Sequence, residues 1–391
     1  MDTPLTPSPK RLLSLDVLRG ITISGMLLVN NPGSWGHIYT PLEHAAWHGL
    51  TPTDLVFPFF MFIMGVSMYI SLSKFNFTFS GSYFRKLAKR SLLIFLVGTA
   101  IAWFSLMCFG TFDVSSDQPF WERFTSSVFP FDRIRILGVM QRLALSSFFA
   151  SLLVVLIPSK HWLKAAAAIL VGYYLILLFG DGFELTPNNI IIRVDTALFG
   201  EEHIYHGESI PFDPEGLLST IPCLAHVILG VYCGKLIKTT PNLTEKISKI
   251  FIFGTILLFA GLLLSYGIPI NKKIWSPTFV LTTCGLASLL LALLAWIIDA
   301  KDKKRWSVFF ESFGINPLFL YVLGGVLSIL LGSIRFFQGT EAVSIKGFIY
   351  NGMTAAVGNE TFASLIFALF FISICWVIGH QLYKRKIYIK L

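Results

Sequence analysis

Two histidines and an aspartate, His44, His48 and Asp54, stand in a short hydrophilic stretch between two apolar runs, and Asn30 closes the first of those runs. An imidazole titrates near neutral pH and moves protons in either direction, which makes His44 the first candidate for acid–base chemistry. Asn30 lies close enough to orient or polarise a partner of His44. Each residue also has a plainer assignment: a histidine bonded within its loop, an asparagine ending a helix and, in Thr51-Pro52-Thr53-Asp54, an N-terminal cap. His44 and His48 are one helical turn apart but bring no third ligand, and the glutamate of the HExxH zinc pattern is missing. No metal is expected.

Other polar residues interrupt apolar sequence. Asp16 and Arg19, three apart, can meet on one helix face, as a boundary ion pair or as a site for an anionic group. Arg142 falls about a turn inside an apolar run, where a permanent charge is costly unless paired, so it faces the bundle interior or a watery cavity. Gln141, beside it, points to a different face. Asp213 and Glu215 lead into one apolar run, and Asn271-Lys272-Lys273-Ile274-Trp275 leads into another. Acids, amides, a lysine and an aromatic plane suit a polyhydroxylated or amino-bearing ligand, although capping and interfacial anchoring explain each patch separately.

The elements that must hold these groups are membrane helices. Hydrophobic residues make up 54% of the 391, charged residues only 14%, and the mean hydropathy is +0.69; a water-soluble domain does not have this balance. A helix needs about 20 apolar residues to cross the hydrocarbon core. The sequence then predicts an all-α polytopic integral membrane protein with ten spans: 15–33, 54–73, 87–109, 137–157, 162–180, 217–237, 248–268, 277–298, 308–333 and 361–383. Gly314-Ile315-Asn316-Pro317 allows the ninth to be a kinked helix or a re-entrant piece plus a helix, for a total of eleven.

Most of the 31 lysines and arginines fall in alternate loops, which places both termini in the cytoplasm and His44 outside. The net charge of +9 is then topological rather than a nucleic-acid footprint. The predicted organisation is a polar tail over 1–14 and a single transmembrane domain over 15–391. Its long external loops are 110–136 and 181–216, the second acidic with interspersed aromatics and expected to fold as a lid. Five scattered cysteines show no disulfide or zinc spacing.

Taken together, Leu15-Asp16-Val-Leu-Arg19-Gly20, Val29-Asn30, His44-Ala-Ala-Trp47-His-Gly49-Leu-Thr-Pro-Thr-Asp54, Gly138-Val-Met-Gln141-Arg142, Phe199-Gly-Glu-Glu-His203-Ile-Tyr205, Phe212-Asp-Pro-Glu215-Gly216 and Lys273-Ile-Trp275-Ser resemble one family in the right order. It is the transmembrane acyltransferases that include the lysosomal heparan-alpha-glucosaminide N-acetyltransferase, and the bacterial NagX-like subgroup is the most similar. The resemblance implies transfer of acetyl from cytosolic acetyl-CoA to a glucosamine amine across the membrane, with His44 and Asn30 catalytic. The acceptor is expected to meet Asp54, Trp47, His48, Glu215, Asp213, Trp275, Lys273 and His203. The donor is expected to meet Asp16, Arg19, Arg142, Gln141 and Asn316. Trp47-His48-Gly49 departs from the family's Trp-Asn-Gly. The implied partners are an amino sugar and the lipid bilayer, with a homodimer left open and no nucleic acid; the implied location is a bacterial inner membrane. A secondary transporter of an amino sugar and an O-acyltransferase of an envelope glycan are the competing readings.

Overall fold

A computed structural model describes residues 12–339 and 341–389. Most of the expected tail, residues 1–11, lies outside them, as does Lys390. The helices are α1 Leu13–Val29, α2 Val56–Leu72, α3 Gly81–Thr111, α4 Phe120–Ser127, α5 Val139–Leu156, α6 Trp162–Phe179 and α7 Ile190–Phe199, followed by α8 Ile221–Thr239, α9 Leu243–Leu264, α10 Pro277–Leu294, α11 Val308–Ile315, α12 Pro317–Ser333, α13 Ile345–Val357 and α14 Glu360–Lys384. One antiparallel hairpin, β1 Arg335–Gln338 with β2 Glu341–Ser344, pairs Arg335 with Ser344 and Gln338 with Glu341. The molecule is an all-α polytopic membrane protein. Among the described residues, eight helical stretches are long and apolar enough to cross a membrane, and nine if the pair bent by 76° around Asn316 counts as one span. The remaining expected span is α1, whose 17 residues extend about 25 Å at 1.5 Å per residue.

Apolar burial gives little drive between helices in lipid, so close backbone approach matters more. At Gly65 on α2 an added Cβ would lie 2.3 Å from the Val227 carbonyl oxygen, and at Gly230 on α8 it would lie 2.3 Å from that of Phe62. The buried His226 reinforces this seam, its Nε2 donating to the Pro58 carbonyl at 2.9 Å. Against α11, α1 closes through Gly20 and Gly314 in the same way.

The helix starts fix the polar residues. α1 has no side-chain cap of its own; Asp299, beyond α10, accepts from the Leu13 and Ser14 N–H groups at 3.0 and 3.3 Å. α2 follows a capping box built by Thr51 and Asp54. Loop 181–216 carries α7 and packs a small core of its own, Ile191 and Phe212 against Tyr173, Leu177 and Ile274, with Trp47 at its edge. It therefore packs against the His44 loop at Trp47.

Candidate active site

His44 and Asp54 form a dyad. Asp54 Oδ1 lies 2.6 Å from His44 Nδ1, and its Oδ2 accepts from the Ala45 and Thr51 N–H groups at 3.1 Å each. The carboxylate is 1% exposed and the imidazole 43%. One carboxylate thus closes the turn that leads into α2 and orients the ring, leaving Nε2 as the free nitrogen. Lys272 Nζ stands 3.0 Å from Nδ1 and 3.3 Å from Nε2 of the same ring, and 3.5 Å from Asp54 Oδ1. Lys273 turns the other way, donating to the Ala46 carbonyl at 2.6 Å and pairing with Glu208 at 2.7 Å. The loop before α10 and the loop before α2 are therefore stapled together. Asn271 adds a hydrogen bond to His48 Nδ1 at 3.3 Å, and Trp47 donates to the Phe183 carbonyl at 2.8 Å.

A second polar cluster borders this one. Arg135 grips Asp213 through Nε at 2.9 Å and Nη2 at 2.5 Å, and reaches Glu215 at 2.7 Å. Arg135, beside two carboxylates, is held still more firmly in its charged form, although burial opposes this. Burial works against ionised Glu215 too, but Arg135 and Arg142 outweigh it and hold its pKa below the usual range. Arg142, fully buried, donates to the Ser219 hydroxyl and to the Gly216 carbonyl, with its guanidinium 5.1 Å from the Trp275 ring centre. Trp275 adopts φ +52°, an unusual conformation for an aromatic residue.

Two cavities line successive turns of the same helices. One, of 360 Å³, takes Asn30 from α1, Gly98 from α3, Gln141 from α5 and Tyr321 from α12, with Arg135 at its edge. The other, of 580 Å³, takes Arg19 from α1, Lys86 and Arg90 from α3, Leu143 from α5 and Leu318 from α12. Ile94, Met140 and Ala144, packed by Leu318 and Tyr321, fill the space between. Arg19 bonds Asp16 at 3.2 Å, the Gly314 carbonyl at 3.3 Å and the Ser67 hydroxyl at 2.9 Å.

The heparan-alpha-glucosaminide N-acetyltransferase catalytic family matches residues 11–268. The chain belongs to this family. The human heparan-alpha-glucosaminide N-acetyltransferase is 30% identical over 376 residues, and the mouse protein of the same name is 27% identical over 369, each alignment covering 81% of this chain. The chain spans about half the length of these curated relatives, 53% of each.

Within this N-acetyltransferase family frame, the matched segment holds the dyad, Asn30, Arg135 and both acids, while Lys272, Lys273, Trp275 and Asn316 follow it. The fold brings His44, Asp54, Trp47, His48 and Lys273 together. Asn30 is exposed and lines the first cavity, and no hydrogen bond joins it to His44 among the described residues. Gln141 shares that cavity and Arg142 lies with Gly216 and Ser219, so both stand apart from Arg19 and the second cavity. His203 Nδ1 donates to the Ile134 carbonyl at 2.8 Å, tying its loop to the Arg135 strand of chain. Asn316 donates to the Ile387 carbonyl and accepts from Ile389 N–H at 2.9 and 2.8 Å; it pins the last residues against the bend. The sequence places Lys272 in the patch before α10 without singling it out, and gives Arg135 no site role. The available signal was their presence on the lysine-poor side of the predicted topology.

Asp195 on α7 supplies a pH test. Burial pushes its carboxyl up to about 7 from 3.8, with Asp213 adding to the shift and the Leu217 N–H and Arg142 opposing it. The raised value means that Asp195 favours the folded state below 3.8 and that this contribution drains away between 3.8 and about 7. Asn at this position keeps the acceptor for Leu217 N–H, now at 2.9 Å, and removes the ionisation. Asp195→Asn is expected to flatten the melting temperature across that window and to raise it by a few degrees at higher pH, with no change in acid, as read by thermal unfolding in detergent.

Proposed function

We propose that the chain is a transmembrane N-acetyltransferase that takes acetyl from acetyl-CoA on the cytoplasmic side and places it on the amine of glucosamine, or of a sugar ending in glucosamine, on the periplasmic side of a bacterial inner membrane. The observation that carries this reading is the placement of an oriented base and a cationic cavity at opposite ends of shared helices. Arg19, Lys86 and Arg90 suit the donor's phosphates, and one apolar layer separates the cavity they line from that of Asn30 and Gln141.

At the other end, a neutral amine attacks the thioester carbonyl. His44 Nε2 takes the amine proton, and Asp54 holds the Nδ1 proton and stabilises the imidazolium. Asn30 offers an amide donor to the developing oxyanion. Glu208 and Glu215 supply acceptors for sugar hydroxyls, and Trp47 an apolar face; Asp213, expected to meet the acceptor, is instead buried with both carboxylate oxygens held by Arg135.

Purified protein in liposomes tests this directly, with acetyl-labelled CoA sealed on the Arg19 side and glucosamine on the His44 side. Labelled N-acetylglucosamine appearing with the acceptor is the expected result. Sugar flux without acetylation would make it a transporter, and a label found only on hydroxyls an O-acyltransferase.

A further inference from the structure

We propose that Lys272 is itself an acetyl acceptor, a modification site that takes the acetyl group when no sugar amine is present. The inference rests on the N-acetyltransferase reading above and extends it to a residue of the chain. An amine acceptor must bring its nitrogen within hydrogen-bond reach of the free nitrogen of its base. Lys272 Nζ lies across the His44 ring, 3.3 Å from Nε2 and 3.0 Å from the Nδ1 that Asp54 also holds at 2.6 Å, so it is within that reach of the free nitrogen.

The surroundings favour a reactive amine. Burial pulls the Lys272 pKa down, Arg142 pulls the same way, and Asp54 and Glu215 only partly restore it, leaving a net decrease.

The step balances. Starting as the neutral amine, Lys272 attacks the acetyl carbonyl carbon through its nitrogen lone pair and gives its one surplus proton to His44 Nε2. A C–N bond forms, the C–S bond breaks, and the CoA thiolate leaves with the proton held by His44. The product is an amide whose side chain has lost its charge beside Asp54 and Glu215 and blocks the approach to the base. Glucosamine, occupying the same position, protects Lys272.

Lys273 is a matched internal control. It is as exposed as Lys272, 17% against 18%, but is turned to Glu208 and the Ala46 carbonyl. The experiment incubates purified full-length protein with labelled acetyl-CoA, with and without glucosamine, and maps acetyl-lysine by peptide mass spectrometry. Label should concentrate at Lys272 over Lys273, fall when glucosamine is added, and drop on the order of 100-fold in His44→Ala, which removes the base. Equal labelling of the two lysines, or glucosamine acetylation with no label at Lys272, overturns the proposal. Transfer to neither acceptor removes the N-acetyltransferase reading, and this proposal with it.

Discussion

His44→Ala is expected to fold and to lose acetyl transfer to glucosamine by roughly 10²- to 10⁴-fold, the range general-base catalysis supplies. The imidazole is 43% exposed, so its removal leaves no sealed cavity in the helix bundle. Its partner Asp54 keeps two backbone N–H donors and gains Lys272, already 3.5 Å away, so no buried charge is stranded. An unchanged melting temperature together with a collapsed initial rate is the outcome to look for. Transfer at the wild-type rate would remove His44 from the chemistry.

Asp54→Asn probes the same dyad without deleting a ring. Both N–H groups of Ala45 and Thr51 point at Oδ2, and they require an oxygen there. The new amide nitrogen must therefore take the Oδ1 position, 2.6 Å from His44 Nδ1. It donates a proton, which makes Nδ1 the acceptor and moves the ring hydrogen to Nε2. The base then presents N–H to the amine it should deprotonate. A loss on the order of 10⁴-fold in kcat follows the cost of the wrong tautomer in a comparable histidine–aspartate pair. Because asparagine keeps the oxygen that accepts from the Ala45 and Thr51 N–H groups, stability should hold. A pH–rate profile separates this loss from a mere tilt of the ring, since only the tautomer change removes the limb that reports imidazole ionisation. Wild-type kcat in the variant would reduce Asp54 to a helix cap.

The membrane bundle was legible because long apolar runs carry their own signal, and each expected span falls on a helix. The Gly-Ile-Asn-Pro sequence likewise marked the bend between α11 and α12. Short elements escaped: α4, α7, α13 and the hairpin are too brief or too mixed for a hydropathy reading and owe their form to packing, as Phe212 does against Trp47. At the site, His44 and Asp54 were each visible, but as a base and as a cap. Their union depends on Thr51 turning the chain so that one carboxylate serves both ends, which no spacing rule states. Lys272 was harder still. Its partner is 228 residues away, and Lys273 beside it looked equally suitable until their side chains were seen to diverge. Asn316, expected beside the donor, instead bonds Ile387 and Ile389.

The stretch opening with Asp54 and continuing as α2 reaches Ser67, the hydroxyl that Arg19 grips. Thirteen residues at 1.5 Å each make about 20 Å, so this rigid segment is a caliper with the base on one jaw and the cationic cavity on the other. Under the proposed function the caliper selects donors by length. An acetyl thioester of a short thiol can touch one jaw only, and it forfeits the local concentration that a tethered headgroup confers. Chain length between phosphate and thioester, rather than the chemistry of the acetyl group, then becomes the quantity the enzyme measures.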